Sequence, residues 1–193
     1  MPLPSLRARC VIVATIAVAA LAACSDLTKP PATLATFSDT ATVWALNGTQ
    51  SQLPNALILF DGTTSRADSR FGYDVAFDLD ATGKVIVIPV RKMAGLGGGH
   101  LIDMQLSSGT YASITEAPKS NYVADSIFTI SPGTPFVIES SNPTANCSIY
   151  GSPFFYSKVV VDSVNKANRQ IFVSFTVDPN CGYRSFASGI PTI

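Results

Sequence analysis

Residues 71–90 read FGYDVAFDLDATGKVIVIPV, and this stretch is the strongest indication of the fold. Three apolar residues recur at alternate positions in its first half, namely Val75, Phe77 and Leu79. The acids that alternate with them are Asp74, Asp78 and Asp80. This spacing is typical of a half-buried β-strand whose acids face solvent. Residues 81–83 are suited to a turn, and residues 84–90 are almost continuously apolar. We therefore predict a β-hairpin over residues 71–90.

Strand-like segments recur at short intervals along the rest of the chain. They are bounded by turn-forming residues and span residues 42–46, 56–60, 101–106, 110–115, 124–130, 135–140, 155–164 and 170–177. The last two form a second predicted hairpin. Such alternating faces are most simply buried in an all-β fold, a single antiparallel β-sandwich (immunoglobulin-like or jelly-roll-like) of about nine or ten short strands. A closed β-barrel is the alternative, because the sequence does not say whether the sheet edges meet.

The composition favours strands and turns and argues against a nucleic-acid-binding protein. The chain has 193 residues, with 13 Pro, 13 Gly and 13 acidic residues, of which only two are Glu. Asp favours turns and caps, whereas Glu favours helix interiors. The 13 basic residues balance the acids, so the chain lacks the basic excess that nucleic acid binding requires. This length fits one domain with a sizeable core.

The amino-terminal region carries the pattern of an export signal. A basic opening with Arg7 and Arg9 precedes an apolar run that ends in LAAC at residues 21–24. These four residues resemble the lipobox of bacterial lipoproteins. The resemblance implies cleavage before Cys24, lipidation of Cys24 and attachment to an envelope membrane. Residues 10–24 fall short of the roughly 20 that a transmembrane helix needs, so an uncleaved anchor and an ordinary secretory signal are the less favoured alternatives.

The resemblance also divides the chain and implies where the protein acts. Residues 1–23 are the predicted signal peptide, residues 24–40 the lipidated cysteine with a Pro-containing tether, and residues 41–193 the β-sandwich domain. Ser25, rather than the Asp that retains enteric lipoproteins in the inner membrane, follows the lipidated cysteine, which favours the outer membrane. The expected partners are the membrane, through the lipid anchor, and an envelope protein or a glycan.

Two cysteines remain after this processing. Cys10 leaves with the signal and Cys24 carries lipid, so the resemblance leaves Cys147 and Cys181 as thiols. Because the bacterial envelope is oxidising, we expect these two to form a disulfide. Two free, buried thiols are the alternative. A zinc site is less favoured, because two cysteines and one histidine cannot complete a tetrahedral shell without carboxylates.

Two segments resemble ligand-binding loops only in part. Asp78 and Asp80, followed by Gly83, match the start of a calcium loop, but Pro89 stands where such a loop needs a bidentate acid. We interpret these acids as a solvated strand face and turn, with calcium as a weak alternative. The glycine-rich residues 95–99 precede a predicted strand rather than a helix, which argues for a flexible loop over a phosphate-binding one.

His100 is the only histidine, so any Ser-His-Asp or Cys-His arrangement must use it. Asp103 is one possible acidic partner. The chain contains no Gly-x-Ser-x-Gly motif, the elbow that presents a nucleophilic serine in many hydrolases. We therefore expect His100 to be an exposed loop residue.

Aromatic residues and one arginine flank the two cysteines. If the disulfide forms, it draws these residues toward one end of the domain, and they are Tyr150, Phe155, Tyr156, Tyr183 and Arg184. Aromatic side chains with an arginine are typical anchors of binding surfaces. Together with His100 they are a candidate binding surface, and plain core packing is the alternative.

These observations favour a non-catalytic envelope lipoprotein with a binding or accessory structural role. A hydrolase with a site near His100 is one alternative. A haem or metal carrier is the other: residues 73–77 resemble, over five positions, a motif of haem-binding lipoproteins of the HmuY type. Because only His100 and three Met could supply axial ligands, we expect no cofactor.

Overall fold

The structure is a computed structural model that describes residues 31–67, 72–93, 98–145, 147 and 153–192. The strands in these ranges are β1 Phe37–Trp44, β2 Ala56–Ile58, β3 Thr63–Ser65, β4 Val75–Leu79, β5 Val85–Pro89, β6 Ile102–Leu106, β7 Val123–Ala124, β8 Phe128–Ile130, β9 Pro135–Ser140, β10 Phe155–Asn165 and β11 Gln170–Asp178. Three short 3₁₀ turns span Val90–Lys92, Tyr111–Ser113 and Pro143–Ala145. The described part of the chain contains no helix with the length and apolar character needed to cross a membrane.

The strands form two antiparallel sheets. One has six strands in the order β1-β11-β10-β9-β6-β7, and the other has five in the order β3-β2-β4-β5-β8. The sheets do not close into a barrel, so the predicted β-sandwich is confirmed, with eleven strands in the described ranges instead of about nine or ten. Large apolar side chains fill the space between them, including Phe77, Phe136, Phe155 and Phe175.

The predicted first hairpin is present, but the interpretation of Asp74 and Asp78 as residues of a solvated face is wrong. β4 and β5 pair from Val75 opposite Pro89 to Leu79 opposite Val85. β4 lies in the middle of the five-stranded sheet and every residue of it is buried. Asp78 is therefore not on a solvated face. Asp74 and Asp78 interrupt the apolar pattern because they are held by donors inside the fold, as described below, whereas Asp80 lies in the solvent-accessible turn, as predicted.

The predicted second hairpin is also present. β10 and β11 pair along their length, with a register shift between Val161 and Ser163. β10 lies between β11 and β9 and is therefore a central strand. Residues 159–161 are consecutively apolar because this central strand is buried on both faces: Val159 and Val161 lie in the main core, and Val160 is buried on the opposite face.

Two segments differ from the prediction. Residues 110–115 contain a 3₁₀ turn instead of a strand, and the Thr110 hydroxyl oxygen accepts a hydrogen bond from the Ser113 amide at 3.3 Å. Residues 124–130 are divided between β7 and β8, which belong to different sheets. In both places, polar turn-forming residues favour a turn over the continuous strand that the weak alternating pattern predicts.

The domain begins earlier than residue 41. β1 starts at Phe37 and pairs with β11, and Thr36 forms an antiparallel bridge with Gly189. The amides of Thr33 and Leu34 donate to the side-chain oxygen of Asn180 at 2.9 and 3.0 Å. Residues 32–40 thus belong to the folded domain and not to the tether.

Candidate functional site

His100 is bound to a buried carboxylate instead of lying exposed in a loop. Its Nε2 atom lies 2.8 Å from Asp74 Oδ1, and the two side chains are 7% and 0% exposed. Asp103, one possible partner named from the sequence, lies opposite Glu139 instead. Asp74 precedes β4, and its Oδ2 accepts the amide of Leu59 at 2.7 Å, while Ser140 Oγ donates to Oδ1 at 2.6 Å. Because Ser140 ends β9, this carboxylate connects the two sheets.

This arrangement differs from a nucleophilic triad. A catalytic serine must hydrogen-bond to the histidine that activates it. Here Ser140 bonds to Asp74, and in the described ranges His100 makes no other side-chain hydrogen bond. Asn142 Nδ2 adds a longer contact to Asp74 at 3.4 Å. A buried charge surrounded by donors in this way is stabilised in place, so the geometry favours a structural role for His100.

The two acids of the calcium candidate each bind different groups of the protein. Asp78 accepts hydrogen bonds from Asn47 Nδ2 at 2.5 Å and from Arg169 Nη2 at 3.3 Å. Asp80 caps its own turn by accepting the hydroxyl of Thr82 and the amides of Thr82 and Lys84, and the hydroxyl, followed by the Lys84 amide, lowers the pKa of Asp80. The described residues contain no group of three or more side chains that could hold a metal ion.

An open pocket of about 220 Å³ lies beside this turn. Its charged side chains are Asp80, Lys166 and Arg169. Lys166 Nζ donates to the carbonyl of Thr82 at 3.0 Å, and Arg169 is paired with Asp78. The charged side chains of this pocket already form hydrogen bonds or ion pairs with neighbouring turns. We therefore assign no ligand to it.

The disulfide is present, and most of the residues around it are packed inside the fold. Cys147 and Cys181 are bonded, with their Cα atoms 5.1 Å apart. Phe155 is fully buried in the main core. Tyr183 is also buried, and its hydroxyl accepts the amide of Ala32 at 3.2 Å. These two aromatic residues are therefore not part of an exposed surface, and Tyr150 lies outside the described residues.

The other two candidates, Tyr156 and Arg184, lie together on the outer face of the six-stranded sheet. Two segments of chain, residues 111–122 and 183–187, lie over this face, and we call them the cover. They are joined to each other by a hydrogen bond from the amide of Ala117 to the carbonyl of Arg184 at 2.7 Å. A small second core packs beneath them and consists of Ile114, Ala117, Val137, Tyr156 and Phe186.

Lys158 attaches the cover to the sheet. Its Nζ donates to the carbonyls of Tyr111 and Ile114 at 3.1 and 2.9 Å and lies 4.5 Å from the centre of the Tyr111 ring. Burial lowers the pKa of Lys158. The two carbonyls and the aromatic face stabilise the ammonium, so this residue acts as a tie between β10 and the cover.

Two carboxyl groups lie side by side under the cover. Asp103 of β6 is directly opposite Glu139 of β9, and Glu139 is directly opposite Tyr156 of β10. The two carboxyls are hydrogen-bonded to each other, which requires a proton on one of them. Burial, followed by the charge on Asp103, raises the pKa of Glu139 to about 7. Burial also raises the pKa of Asp103, so the pair retains a proton into the neutral range.

The phenols beside the pair stay protonated. Burial raises the pKa of Tyr156 to about 12, and it raises the pKa of Tyr122 well above its usual range. The two rings pack with their centres 6.3 Å apart. Arg184 is the nearest cation of the cover, and its Nη2 atom binds the carbonyl of Ala117 and lies 3.5 Å from Glu116.

Four buried polar atoms of this region have no hydrogen-bond partner among the described residues. They are Asp103 Oδ1, Gln105 Oε1, Tyr122 Oη and Arg184 Nε. Such atoms are rare in folded proteins, and each destabilises its arrangement by about 1–3 kcal/mol.

The polar face under the cover is thus the candidate functional site, since ionisable side chains and unpartnered atoms converge there. Sequence reasoning named Tyr156 and Arg184 but missed the carboxyl pair, because the pairing of β6 with β9 is not visible in the chain. Comparisons of this chain with protein-family models, with curated proteins and with solved structures returned no match.

Proposed function

We propose that this protein is an exported lipoprotein of the bacterial envelope, anchored through lipid on Cys24, whose β-sandwich has a binding or accessory structural role. The observation that carries the proposal is the Cys147–Cys181 disulfide. Cytosolic proteins rarely contain structural disulfides, because reducing systems keep their thiols free. A buried disulfide therefore supports the same export that residues 21–24 predict.

The geometry around His100 favours binding over hydrolysis. The single histidine is used to hold Asp74, and that carboxylate is shared with the Leu59 amide and Ser140. A hydrolase that used His100 as its general base would need a nucleophile on the other ring nitrogen, and the contacts of His100 within the described ranges do not supply one. This supports a protein that acts through its surface.

Lipid anchoring is tested by substituting the two amino-terminal cysteines one at a time. The full chain is expressed in a bacterial host with an outer membrane and grown with a labelled fatty acid. We expect the wild type and Cys10→Ser to incorporate label and to sediment with outer membranes. Cys24→Ser should lose the label and the membrane association. Label retained in Cys24→Ser, or absent from the wild type, would contradict the proposal.

Catalysis is tested separately from anchoring. The purified chain and its His100→Ala variant are assayed on panels of ester, peptide and glycoside substrates. We expect no turnover above buffer with either protein. A substrate hydrolysed by the wild type and not by a folded His100→Ala variant would support the hydrolase alternative.

A further inference from the structure

The carboxyl pair under the cover has a property that goes beyond anchoring or binding as such. We propose that Asp103 and Glu139 form a pH-sensitive latch: with a shared proton the cover lies closed on the six-stranded sheet, and with both carboxyls ionised it opens. This inference needs only described residues and is independent of lipidation at Cys24.

The position of the two residues creates the sensitivity. Directly opposite side chains on neighbouring antiparallel strands have Cβ atoms about 4.5–5.5 Å apart, and like charges there destabilise the pairing. The backbone of β6 and β9 keeps Asp103 and Glu139 at this spacing. When the shared proton is lost, the two carboxylates cannot separate without a change in what surrounds them.

In the closed arrangement the Tyr156 hydroxyl hydrogen-bonds to Glu139 and favours its ionised form, but the cations near the pair are engaged elsewhere. The ionisable groups that face it are Tyr156 from β10, Tyr122 and Arg184 from the cover, Asp125 after β7, and Arg91 from the first 3₁₀ turn. The Arg91 guanidinium is paired with Asp125 at 3.1 Å. Arg184 is occupied by Glu116 and by the carbonyl of Ala117. Both cations therefore already have partners in the closed arrangement.

Opening gives the doubly ionised pair the donors it lacks. Tyr122 Oη and Arg184 Nε are buried without partners next to the pair. When Arg184 turns toward the carboxylates, it leaves the carbonyl of Ala117 and loosens the junction between the two cover segments. The apolar side chains beneath, such as Ile114 and Phe186, then become accessible. The latch thus couples proton loss to exposure of a small apolar surface.

Hydrogen exchange of the purified full chain tests the latch. The reporters are the amide of Ala117, which donates to Arg184, and the amide of Phe186, which donates to the carbonyl of Thr115 at 2.9 Å. After correction for the pH dependence of intrinsic exchange, their protection should fall about tenfold in total between roughly pH 5 and 7, because the closed form holds one more proton and the pair is partly solvated. Amides in the centre of β11 serve as the internal reference.

Three variants separate the latch from general unfolding. Glu139→Gln should abolish the pH dependence, because a neutral amide replaces the titrating group. Asp103→Asn should move the transition to lower pH, because it removes a neighbouring charge that raises the pKa of Glu139. Asp61→Asn, at an exposed acid outside the cover, should keep the wild-type slope. Protection that does not vary with pH in the wild type, a slope unchanged by Glu139→Gln, or a transition unmoved by Asp103→Asn would each overturn the proposal.

Discussion

At the scale of single residues, Asp74 shows how a buried charge is tolerated. Its carboxylate is completely buried, yet it accepts hydrogen bonds from the Leu59 amide and Ser140 and contacts His100. Charge-assisted hydrogen bonds of this kind offset the loss of hydration. Because the partners belong to both sheets, one side chain helps to define how the layers align.

Asp74→Ala is expected to be among the most destabilising single substitutions. Removing the acceptor leaves buried donors without partners, which costs about 3–5 kcal/mol in the free energy of unfolding. Chemical denaturation measures this. Asp61→Ala, at an exposed position, is the matched control and should change stability by less than about 0.5 kcal/mol. Equal effects of the two substitutions would contradict the structural role of Asp74.

The carboxyl pair predicts how global stability depends on pH. The pKa of Glu139 is about 7 in the folded protein and about 4.5 when unfolded, so the folded state binds the proton more tightly. Its contribution is fully present below about pH 4.5 and is lost as pH rises through about 7. Since the group is partly solvated, we expect a loss of roughly 1–2 kcal/mol.

Glu139→Gln isolates this contribution. Urea denaturation between pH 4.5 and 8 should show a smaller decline in the variant than in the wild type, and at pH 8 the variant should be the more stable of the two. Asp61→Asn, at an exposed acid outside the cover, is the control and should follow the wild type. A Glu139→Gln variant with an unchanged decline would show that other groups dominate.

At the scale of elements, the β4–β5 turn illustrates why glycine residues in the sequence indicate the positions of turns. Gly83 has a φ of 83°, in the left-handed region, and Lys166 lies over it. Gly133, in the turn between β8 and β9, has a φ of 85° with open space around its Cα. A side chain is disfavoured at both positions by the backbone conformation itself.

Substituting these two glycines distinguishes the cost of backbone strain from the cost of crowding by the Lys166 side chain. Gly83→Ala and Gly133→Ala should each lower stability by about 1–2 kcal/mol, because alanine rarely adopts this φ. The exposed end of Lys166 can swing away, so Gly83→Ala with Lys166→Ala should match Gly83→Ala within about 0.5 kcal/mol. Thermal denaturation provides the comparison. Full recovery in the double variant would mean that crowding, and not φ, sets the cost.

The same element scale shows the limits of pattern reading. Alternation in residues 71–80 predicted β4 correctly, but it assigned Asp78 to solvent, since a pattern cannot reveal that Arg169 and Asn47 reach it from distant parts of the chain. Residues 110–115 looked like a strand, and their Thr and Ser side chains instead satisfy the backbone of a 3₁₀ turn. Local side-chain hydrogen bonds compete with sheet formation at such sites.

At the scale of the whole molecule, the disulfide joins the segment before β10 to the segment after β11. The two cysteines are 34 positions apart, and the hairpin of β10 and β11 lies between them. Closing a loop of this length restricts the unfolded chain. The bond therefore stabilises the central hairpin of the six-stranded sheet against complete unfolding.

Cys147→Ser combined with Cys181→Ser should lower the free energy of unfolding by about 3–4 kcal/mol. Wild-type protein treated with a reductant should behave like the double variant, which makes it the matched control. Intact mass after alkylation reports the bond directly: the native domain should gain label at neither cysteine until it is reduced. Labelling of both without reductant would contradict the disulfide.

Local pattern alone was enough for the all-β class, for both hairpins, for the disulfide partners and for the expectation of export. These features depend on alternation, on turn residues and on the short motif at residues 21–24, all of which are contiguous in the chain. The burial of Asp74 and Asp78, the use of His100 and the Asp103–Glu139 pair emerged only in the folded molecule. Sheet order and layer packing bring those residues together from distant positions, and no pairing rule within the chain specifies such contacts.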